Sequence, residues 1–230
     1  MQYGPKIVRS GLVLHLDAAD RKSYSGSGTS WNDLSGNNNR GTLAPVGSPP
    51  TFSSSNGGVI VFIAGNEHRC PISNLVNLNN TSATHEIWVR LNNPNSGTSQ
   101  QIFARTNTST ETFNISKSAL NQLNVSYRNA ANTQNIVILN TTPSTNWVHI
   151  MITYNTSILS AYINGVLDTT SSTVTGALNT GGTFGMTLAS IGGPAQSCDC
   201  NIGLARAYNR ALSASEVLQN FNATRGRFGI

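Results

Sequence analysis

The feature that most constrains the fold is the end of the chain, where the sequence predicts one strand followed closely by one short helix. Large side chains alternate with glycine or alanine from 202 to 208, the period of two that is typical of a half-buried strand. Ser213 stands three residues before Glu216, which is the spacing of a capping box at a helix N-terminus. Leu212 and Val217 occupy the two positions that pack together as a hydrophobic staple around such a cap.

This helix is expected to be short. Val217, Leu218 and Phe221 form its apolar stripe, and the polar run 222–226, which contains a glycine, is expected to end it. No other stretch of the sequence has a convincing helical period. The sequence therefore predicts an all-β chain that closes with one capped helix.

Alternating apolar residues predict strands along the rest of the chain. The strand 12–17 has one strongly apolar face, and 59–63 is a continuous apolar run that is typical of a strand buried on both faces. The clearest hairpin signal is Asn164-Gly165, because a type I′ turn needs positive φ at both positions. Further strands are predicted at residues 84–91, 101–105, 112–116, 123–127, 136–139, 147–154, 159–163, 166–169, 187–191 and 202–208. Their spacing of roughly ten residues is typical of β-sandwiches and barrels.

Four segments of the sequence also occur in an informative order. They are Gly11-Leu-Val-Leu-His-Leu-Asp-Ala, Trp31-Asn-Asp-Leu-Ser-Gly-Asn, Trp147-Val-His-Ile with Tyr162-Ile-Asn-Gly-Val, and Tyr208-Asn-Arg-Ala-Leu-Ser-Ala-Ser-Glu-Val. Together they resemble the opening strand, first loop, central hairpin and closing motif of laminin-G-like, concanavalin A-like jelly-roll domains. The resemblance implies a two-sheet jelly-roll β-sandwich with one short C-terminal helix. This superfold includes lectins, glycosidases and assembly modules, so the resemblance alone does not decide the function.

Length and composition fit a single domain with short extensions. All-β sandwiches commonly contain about 200–250 residues in one unit, and this chain of 230 residues shows no linker. We predict an N-terminal arm at 1–10, the sandwich at 11–223 and a C-terminal tail at 224–230. Charged residues make up 10% of the chain, against an average of about 25%. A surface rich in Asn, Ser, Thr and Gly suits packing against other proteins or against hydroxyl-rich ligands.

Charge and hydropathy argue against several classes of protein. The net charge of +5 is divided between the two ends and forms no basic stripe with interleaved aromatic residues, so nucleic acid is not an expected partner. The longest apolar run, 59–64, is too short to cross a membrane. The N-terminus has no apolar signal segment, so synthesis in a host cytoplasm without a signal peptide is expected.

Glycoside hydrolysis is the enzymatic alternative that the resemblance raises, because some jelly rolls of this type are glucanases. The reaction needs two carboxylates about 5–9.5 Å apart. Glu86 lies on a predicted strand, but the next two positions on its face are Trp88 and Arg90. A glycoside hydrolase is therefore the least favoured function, and the chain is predicted not to be an enzyme.

No cofactor is predicted, although a structural Ca²⁺ is left open. Asp17, Asp20 and Asp33 could supply carboxylate oxygens together with carbonyls of the Ser- and Gly-rich loops. The resemblance implies such an ion in many relatives, often with an acidic pair before the closing motif. Gly203 and Leu204 occupy those positions here, which weakens the case. The alternative role of Asp33 is an Asx turn within its own loop.

The same loop carries the candidate glycan-binding residues. Trp31 could provide an aromatic platform, and Asp33, Asn37, Asn38 and Asn39 could provide hydrogen bonds to sugar hydroxyl groups. The alternative is that Trp31 folds back and fills the edge of the sandwich, where its large apolar body is buried.

These observations predict a non-enzymatic virion structural protein, either a phage capsid-decoration subunit or a surface-appendage subunit. The chain shows no anchor, no export signal and no catalytic partner domain, and its composition is polar but poor in charge. Stand-alone domains with this closing motif resemble those of tailed-phage structural proteins, which implies a place on the virion surface. The alternative is a glycan-binding lectin or receptor-binding module, that is, an adhesin.

The expected partners follow from this hypothesis. They are other virion proteins, namely capsid or tail subunits, while a homo-oligomer and a host surface polysaccharide are also compatible with the sequence. Lys6 and Arg9 of the arm, and Arg225, Arg227 and Phe228 of the tail, are predicted to reach a neighbouring subunit.

Overall fold

The computed structural model describes residues 5–45, 47–72, 80–106, 111–172, 175–179, 185–190 and 196–230. The first four residues of the predicted arm and the end of the predicted strand 187–191 lie outside these ranges. The described residues form sixteen strands and one α-helix. In chain order the elements are β1 Leu12–Asp17, β2 Ser30–Trp31, β3 Gly41–Thr42, β4 Thr51–Ser53, β5 Val59–Phe62, β6 Cys70–Ile72, β7 Ala83–Leu91, β8 Gln100–Thr106, β9 Glu111–Lys117, β10 Leu123–Arg128, β11 Gln134–Ile138, β12 Val148–Tyr154, β13 Leu159–Ile163, β14 Val166–Ser171, β15 Gly185–Leu188, β16 Cys200–Tyr208 and α1 Ala214–Phe228.

The strands form two antiparallel sheets that face each other. Sheet A has the order β14-β13-β12-β7-β16-β5-β4, and β1 pairs with β16 beside β5. Sheet B has the order β11-β10-β9-β8-β15-β6-β3-β2. The predicted two-sheet jelly-roll β-sandwich with one C-terminal helix is confirmed.

Alternate side chains of the two sheets meet in one core. Ile87 and Val89 of β7 point inward from sheet A, and Phe113 and Ile115 of β9 point inward from sheet B. The same period sends the intervening residues of each strand to the outer face of its sheet. The two outer faces therefore decide what the domain presents to its surroundings.

Helix α1 begins with the capping box and the hydrophobic contact that the sequence predicts. Ser213 and Glu216 make the capping box, and Leu212 packs in one apolar cluster with Val217. The helix does not end in the polar run 222–226, as the sequence predicts, but continues to Phe228 before Gly229 adopts φ 75°. Residues 224–228 are therefore the last turn of α1 and not a separate tail. No helix in the described part of the chain is long and apolar enough to cross a membrane.

The hairpin between β13 and β14 is confirmed. Asn164 and Gly165 have φ values of 51° and 78°, the positive values that a type I′ turn requires. A Cβ atom at Gly165 would lie 2.9 Å from the ring of Phe221. The turn therefore uses glycine both for its backbone conformation and for the close approach of α1.

Candidate functional site

The outer face of sheet A is covered by α1. The ring of Trp88 stacks on Phe228 with 4.1 Å between ring centroids, and its Nε1 donates to Oγ1 of Thr224 at 2.9 Å. Phe221 stacks on the same indole at 5.9 Å. These aromatic contacts explain why the helix extends past its polar stretch, because ending at residue 222 would leave Trp88 exposed.

Beneath the helix lies a buried carboxylate. Glu86 is fully buried and accepts hydrogen bonds from Arg206 at 2.7 Å, His149 at 3.1 Å and Asn220 at 2.9 Å. Burial alone would raise the pKa of Glu86, but Arg206 and His149 outweigh it and lower the pKa to about 2. Glu86 was the acid that the glycosidase hypothesis required, and the structure places it where no polysaccharide reaches it. Its role is to fix α1 on sheet A.

The N-terminal segment is held by the same helix. The Val8 N–H donates to Oδ1 of Asn220 at 2.8 Å, and Gln219 Nε2 donates to the Lys6 carbonyl at 2.6 Å. The side chains of Lys6 and Arg9 are exposed. Residues 6–8 therefore lie against their own domain, and contact of Lys6 or Arg9 with a neighbouring subunit stays a prediction.

The predicted tail residues also make contacts within the domain. Arg227 forms an ion pair with Asp17 at 2.5 Å, and Phe228 is 4% exposed. The guanidinium of Arg225 lies 5.7 Å from the ring centre of Phe221. Arg227 and Phe228 both help to seat α1, and contact of Arg225, Arg227 or Phe228 with a neighbouring subunit stays a prediction.

The structure also corrects the role predicted for Trp31. Its side chain is fully buried in the main core and offers no ring face to a ligand, which is the alternative that the sequence left open. Asn39 is fully buried and donates to the Val13 carbonyl at 2.7 Å, and half-buried Asn37 donates to the Leu12 carbonyl at 3.3 Å. Asn38 is exposed. The five predicted residues do share one loop, but Asp33, Asn37 and Asn39 hydrogen-bond to the backbone of β1.

Asp33 organises this loop. Its carboxylate accepts from the backbone N–H groups of His15 at 2.8 Å, Ser35 at 2.8 Å and Asn39 at 3.0 Å. The Asx-turn interpretation is confirmed. Among the described residues, no group of three or more His, Cys, Asp or Glu side chains is arranged to hold a metal ion.

The outer face of sheet B has a different character. Strand pairing places Gln101, Ser116 and Asn124 in one cross-strand row, and Asn114 and Ser126 in the next. We call these five residues the polar face. It carries amides and hydroxyl groups but no charge, and the helix of the described residues lies on the other sheet.

Two amide oxygens of the polar face lack hydrogen-bond partners. Gln101 is only 7% exposed, yet its Oε1 has no partner, and the same holds for Oδ1 of half-buried Asn124. Leaving a buried acceptor unsatisfied costs about 1–3 kcal/mol, so native structures keep few of them. Both oxygens are enclosed by the protein, so a ligand could reach them only after these side chains turn outward.

The polar rows end at an apolar border. Ile136 and Ile138 of edge strand β11 pair with Ser126 and Asn124 and are 61% and 51% exposed. A sugar ring has hydroxyl groups around its rim and apolar C–H groups on its faces. Adjacent amides, hydroxyl groups and exposed isoleucines can contact both parts of such a ring.

Comparison with known proteins agrees with this architecture. A family model described as the concanavalin A-like lectin/glucanases superfamily, Laminin_G_3, matches residues 64–218. The chain belongs to this superfamily. No curated protein matches the chain.

Solved structures with the same fold include binding domains of other proteins. The binding domain of Paraclostridial Mosquitocidal Protein 1 superposes with a TM-score of 0.74 at 19% identity, covering 94% of this chain and 52% of that one. The ligand-binding domain of botulinum neurotoxin serotype D, solved with N-acetylneuraminic acid, gives 0.70 at 13% identity, covering 93% and 51%. The binding domain of botulinum neurotoxin DC, solved with rat synaptotagmin II, gives 0.66 at 15% identity, covering 94% and 52%. This chain spans about half the length of these neighbours, and the likeness shows the fold alone.

Proposed function

We propose that this domain is a non-enzymatic glycan-binding module and that the polar face of sheet B binds the sugar. The observation that carries the proposal is the two cross-strand rows of amides and hydroxyl groups next to the exposed Ile136 and Ile138. Once these side chains turn outward, sugar hydroxyl groups would donate to the amide oxygens and accept from the amide N–H and serine O–H groups. Ile136 and Ile138 would contact the C–H face of a ring.

The neighbours support a binding role without fixing the ligand. One of them was solved with a sugar acid and another with a protein receptor. The polar face favours the sugar, because its side chains are short, uncharged and rich in paired donors and acceptors. A protein interface of ordinary strength would be expected to bring aromatic residues, which these rows do not contain.

A glycan array followed by titration calorimetry tests the proposal. The wild-type protein should bind a defined set of oligosaccharides, and both Gln101→Met and Asn124→Leu should lose at least about tenfold in affinity, the equivalent of one or two hydrogen bonds. Asn222→Leu is the matched control, because Asn222 is an exposed amide on α1. Equal binding by the wild type and both polar-face variants, or an array without any binding, would rule out this site.

We also propose that the domain is carried on a virion surface, as a capsid-decoration or appendage subunit. One observation favours a packed neighbour: Val166 and Leu167 of edge strand β14 are 67% and 52% exposed. A capsid or tail subunit would cover them. Mass spectrometry of purified particles should detect the protein in stoichiometric amounts, and its absence from particles would contradict this placement.

A further inference from the structure

The core of the sandwich opens at one end of strands β12 and β13. Ile150 of β12 and Ala161 of β13 face the other sheet and are fully buried. Val148 and Ile163 stand on the same inward faces of these two strands, because side chains alternate with a period of two. Both are nevertheless only half-buried. Apolar side chains that point into a core and remain partly exposed indicate a space that the described residues do not fill.

That space is a cavity of about 140 Å³ between the two sheets, and both half-buried residues line it. The strand residues that complete its walls are Val89, Leu91 and Ile150 of sheet A, and Ile102 and Leu123 of sheet B. Protein interiors are close-packed and contain few voids larger than a water molecule. A cavity of this size between the sheets is therefore a candidate binding site.

The cavity opens to solvent beside the segment 141–147, which leads into β12. Thr142, Ser144 and Asn146 line the cavity and are exposed, so hydroxyl and amide groups stand at its opening. No charged side chain is present among the described residues that line it. Because burying an unpaired charge is very costly, the expected ligand is uncharged. Apolar walls and a polar opening together favour a ligand with an apolar body and one polar end.

Hydrogen bonds hold both ends of this segment. The Asp168 carboxylate accepts from the Asn140 N–H at 2.7 Å, and from the N–H and hydroxyl groups of Thr141 at 3.0 and 2.6 Å. At the other end, Nε1 of Trp147 donates to Oδ1 of Asn56 at 3.0 Å. The opening is therefore bounded by anchored residues, as is usual for small-molecule sites, which are largely formed before the ligand binds.

The volume of the cavity limits the size of the ligand. A cavity of about 150 Å³ with leucine, isoleucine and phenylalanine walls stays dry and binds benzene. The cavity here, at about 140 Å³, has room for one six-membered ring. A sugar ring of that size carries hydroxyl groups on all sides, and these would lose their hydrogen bonds to water and find few partners between apolar walls. The cavity therefore selects against sugars.

We infer that this cavity binds one small, uncharged ring compound that carries a single hydroxyl group, of which phenol is the simplest. The ring would lie among the aliphatic side chains, and its hydroxyl group would form hydrogen bonds at the opening with Thr142, Ser144 or Asn146. This site lies between the sheets and takes a different ligand from the polar face, so it goes beyond the proposed function.

Calorimetric titration with three probes tests the inference. Phenol should bind the wild-type protein, and benzene, which lacks the hydroxyl group, should bind about three- to tenfold more weakly, the equivalent of one hydrogen bond. Glucose should not compete with phenol, even if it binds to the polar face. Thr142→Val together with Ser144→Ala should reduce the preference for phenol over benzene, because these changes remove two hydroxyl groups from the opening.

A variant that fills the cavity gives the largest expected change. Ile163→Phe places a larger side chain in the cavity and should weaken phenol binding by at least about tenfold. Ile158→Phe is the matched control, because Ile158 is 45% exposed and does not line the cavity, and it should change binding by less than about twofold. Thermal unfolding should show that both variants are folded.

Methyl NMR of the wild-type protein gives a measurement that does not depend on the folding of any variant. Phenol should shift the methyl signals of Val89, Ile150 and Ile163 most. It should leave those of Ile136 and Ile138, beside the polar face, unchanged. A failure of the polar face and a failure of this cavity would therefore be told apart.

Three results would overturn the inference. The first is that neither phenol nor benzene binds the wild type up to its solubility in water. The second is phenol binding that Ile163→Phe leaves unchanged, with the largest methyl shifts outside the cavity. The third is equal affinity of the wild type for phenol and benzene, which would show that the polar opening takes no part in binding.

Discussion

The outer faces of the two sheets differ in how their buried polar groups are hydrogen-bonded. On sheet A, Glu86 lies under α1 and accepts three hydrogen bonds, from Arg206, His149 and Asn220. On sheet B, Gln101 and Asn124 have no helix above them in the described structure and keep unpartnered acceptors. The Glu86 carboxylate is paired within the chain, because a buried unpaired charge is very costly. The uncharged amides of sheet B carry no such penalty for a buried charge, and we propose that they contact a ligand.

The largest expected effect is on the covered face. Glu86→Gln should lower the free energy of unfolding by about 3 kcal/mol, because Arg206 would be left buried without its counter-charge. Glu67→Gln is the matched control, since Glu67 is exposed, and should change stability by less than about 0.5 kcal/mol. Urea unfolding curves measure both. A loss below 1 kcal/mol for Glu86→Gln would show that the network does not hold α1 in place.

Acid should weaken the fold in two steps. Burial lowers the pKa of His85 to about 3, and burial together with Arg206 lowers that of His15 to about 4. Both therefore contribute stability that is complete above pH 6.5, their ordinary pKa, and that is lost as the pH falls from there toward 3. The pKa of Glu86 is lowered from 4.5 to about 2. Its contribution to stability is therefore lost as the pH falls from 4.5 to about 2.

Unfolding midpoints measured against pH check these two steps. The wild type should be most stable above pH 6.5 and should lose stability continuously below it. Glu86→Gln should retain the upper step and lack the contribution of Glu86 to the lower one. Because the polar face carries no titratable group, sugar binding there should not change from pH 5 to pH 8. A wild-type stability that rises on acidification would contradict the pKa directions.

A smaller effect is expected at the start of α1. Ser213→Ala removes the cap that accepts from the Glu216 N–H, and should cost about 1 kcal/mol. Ser157→Ala, at an exposed loop position, is the control and should be neutral. Thermal denaturation followed by circular dichroism compares them. Equal stability of the two variants would mean that packing alone positions the helix.

The smallest and most discriminating change is on the polar face. Asn124→Leu removes an unpartnered acceptor and should leave the free energy of unfolding unchanged or raise it by up to about 1 kcal/mol. Asn222→Leu should leave it unchanged. Urea unfolding again gives the measurement. A clear destabilisation by Asn124→Leu would indicate that the amide serves the fold rather than a ligand.

Local signals in the sequence predicted the local structure well. The Ser213 and Glu216 capping box, the Asn164-Gly165 turn and the period-two strands all depend on residues close together in the chain, and all are found. The helix end was mispredicted, because Phe228 is held by Trp88, which is distant in sequence.

The sites could not be predicted for a related reason. Glu86 alternates with apolar residues and therefore looks like a solvent-facing acid, and only the packing of α1 over β7 shows that it is buried. Trp31 stands in a polar loop, but the loop folds back onto β1 through Asp33. The polar face did leave a signal, since Asn114, Ser116 and Asn124 occupy outward positions of predicted strands. Recognising it required the strand pairing that joins them into rows.

The central claim is that the polar face of sheet B binds the ligand. Two-dimensional amide NMR of the wild-type protein, titrated with the sugar that gives the strongest array signal, tests this residue by residue. We expect the largest shifts at Gln101, Ser116, Asn124 and Ser126, with no change in the loop around Trp31 or in α1. Shifts confined to that loop, or no shifts with any sugar tested, would contradict the account.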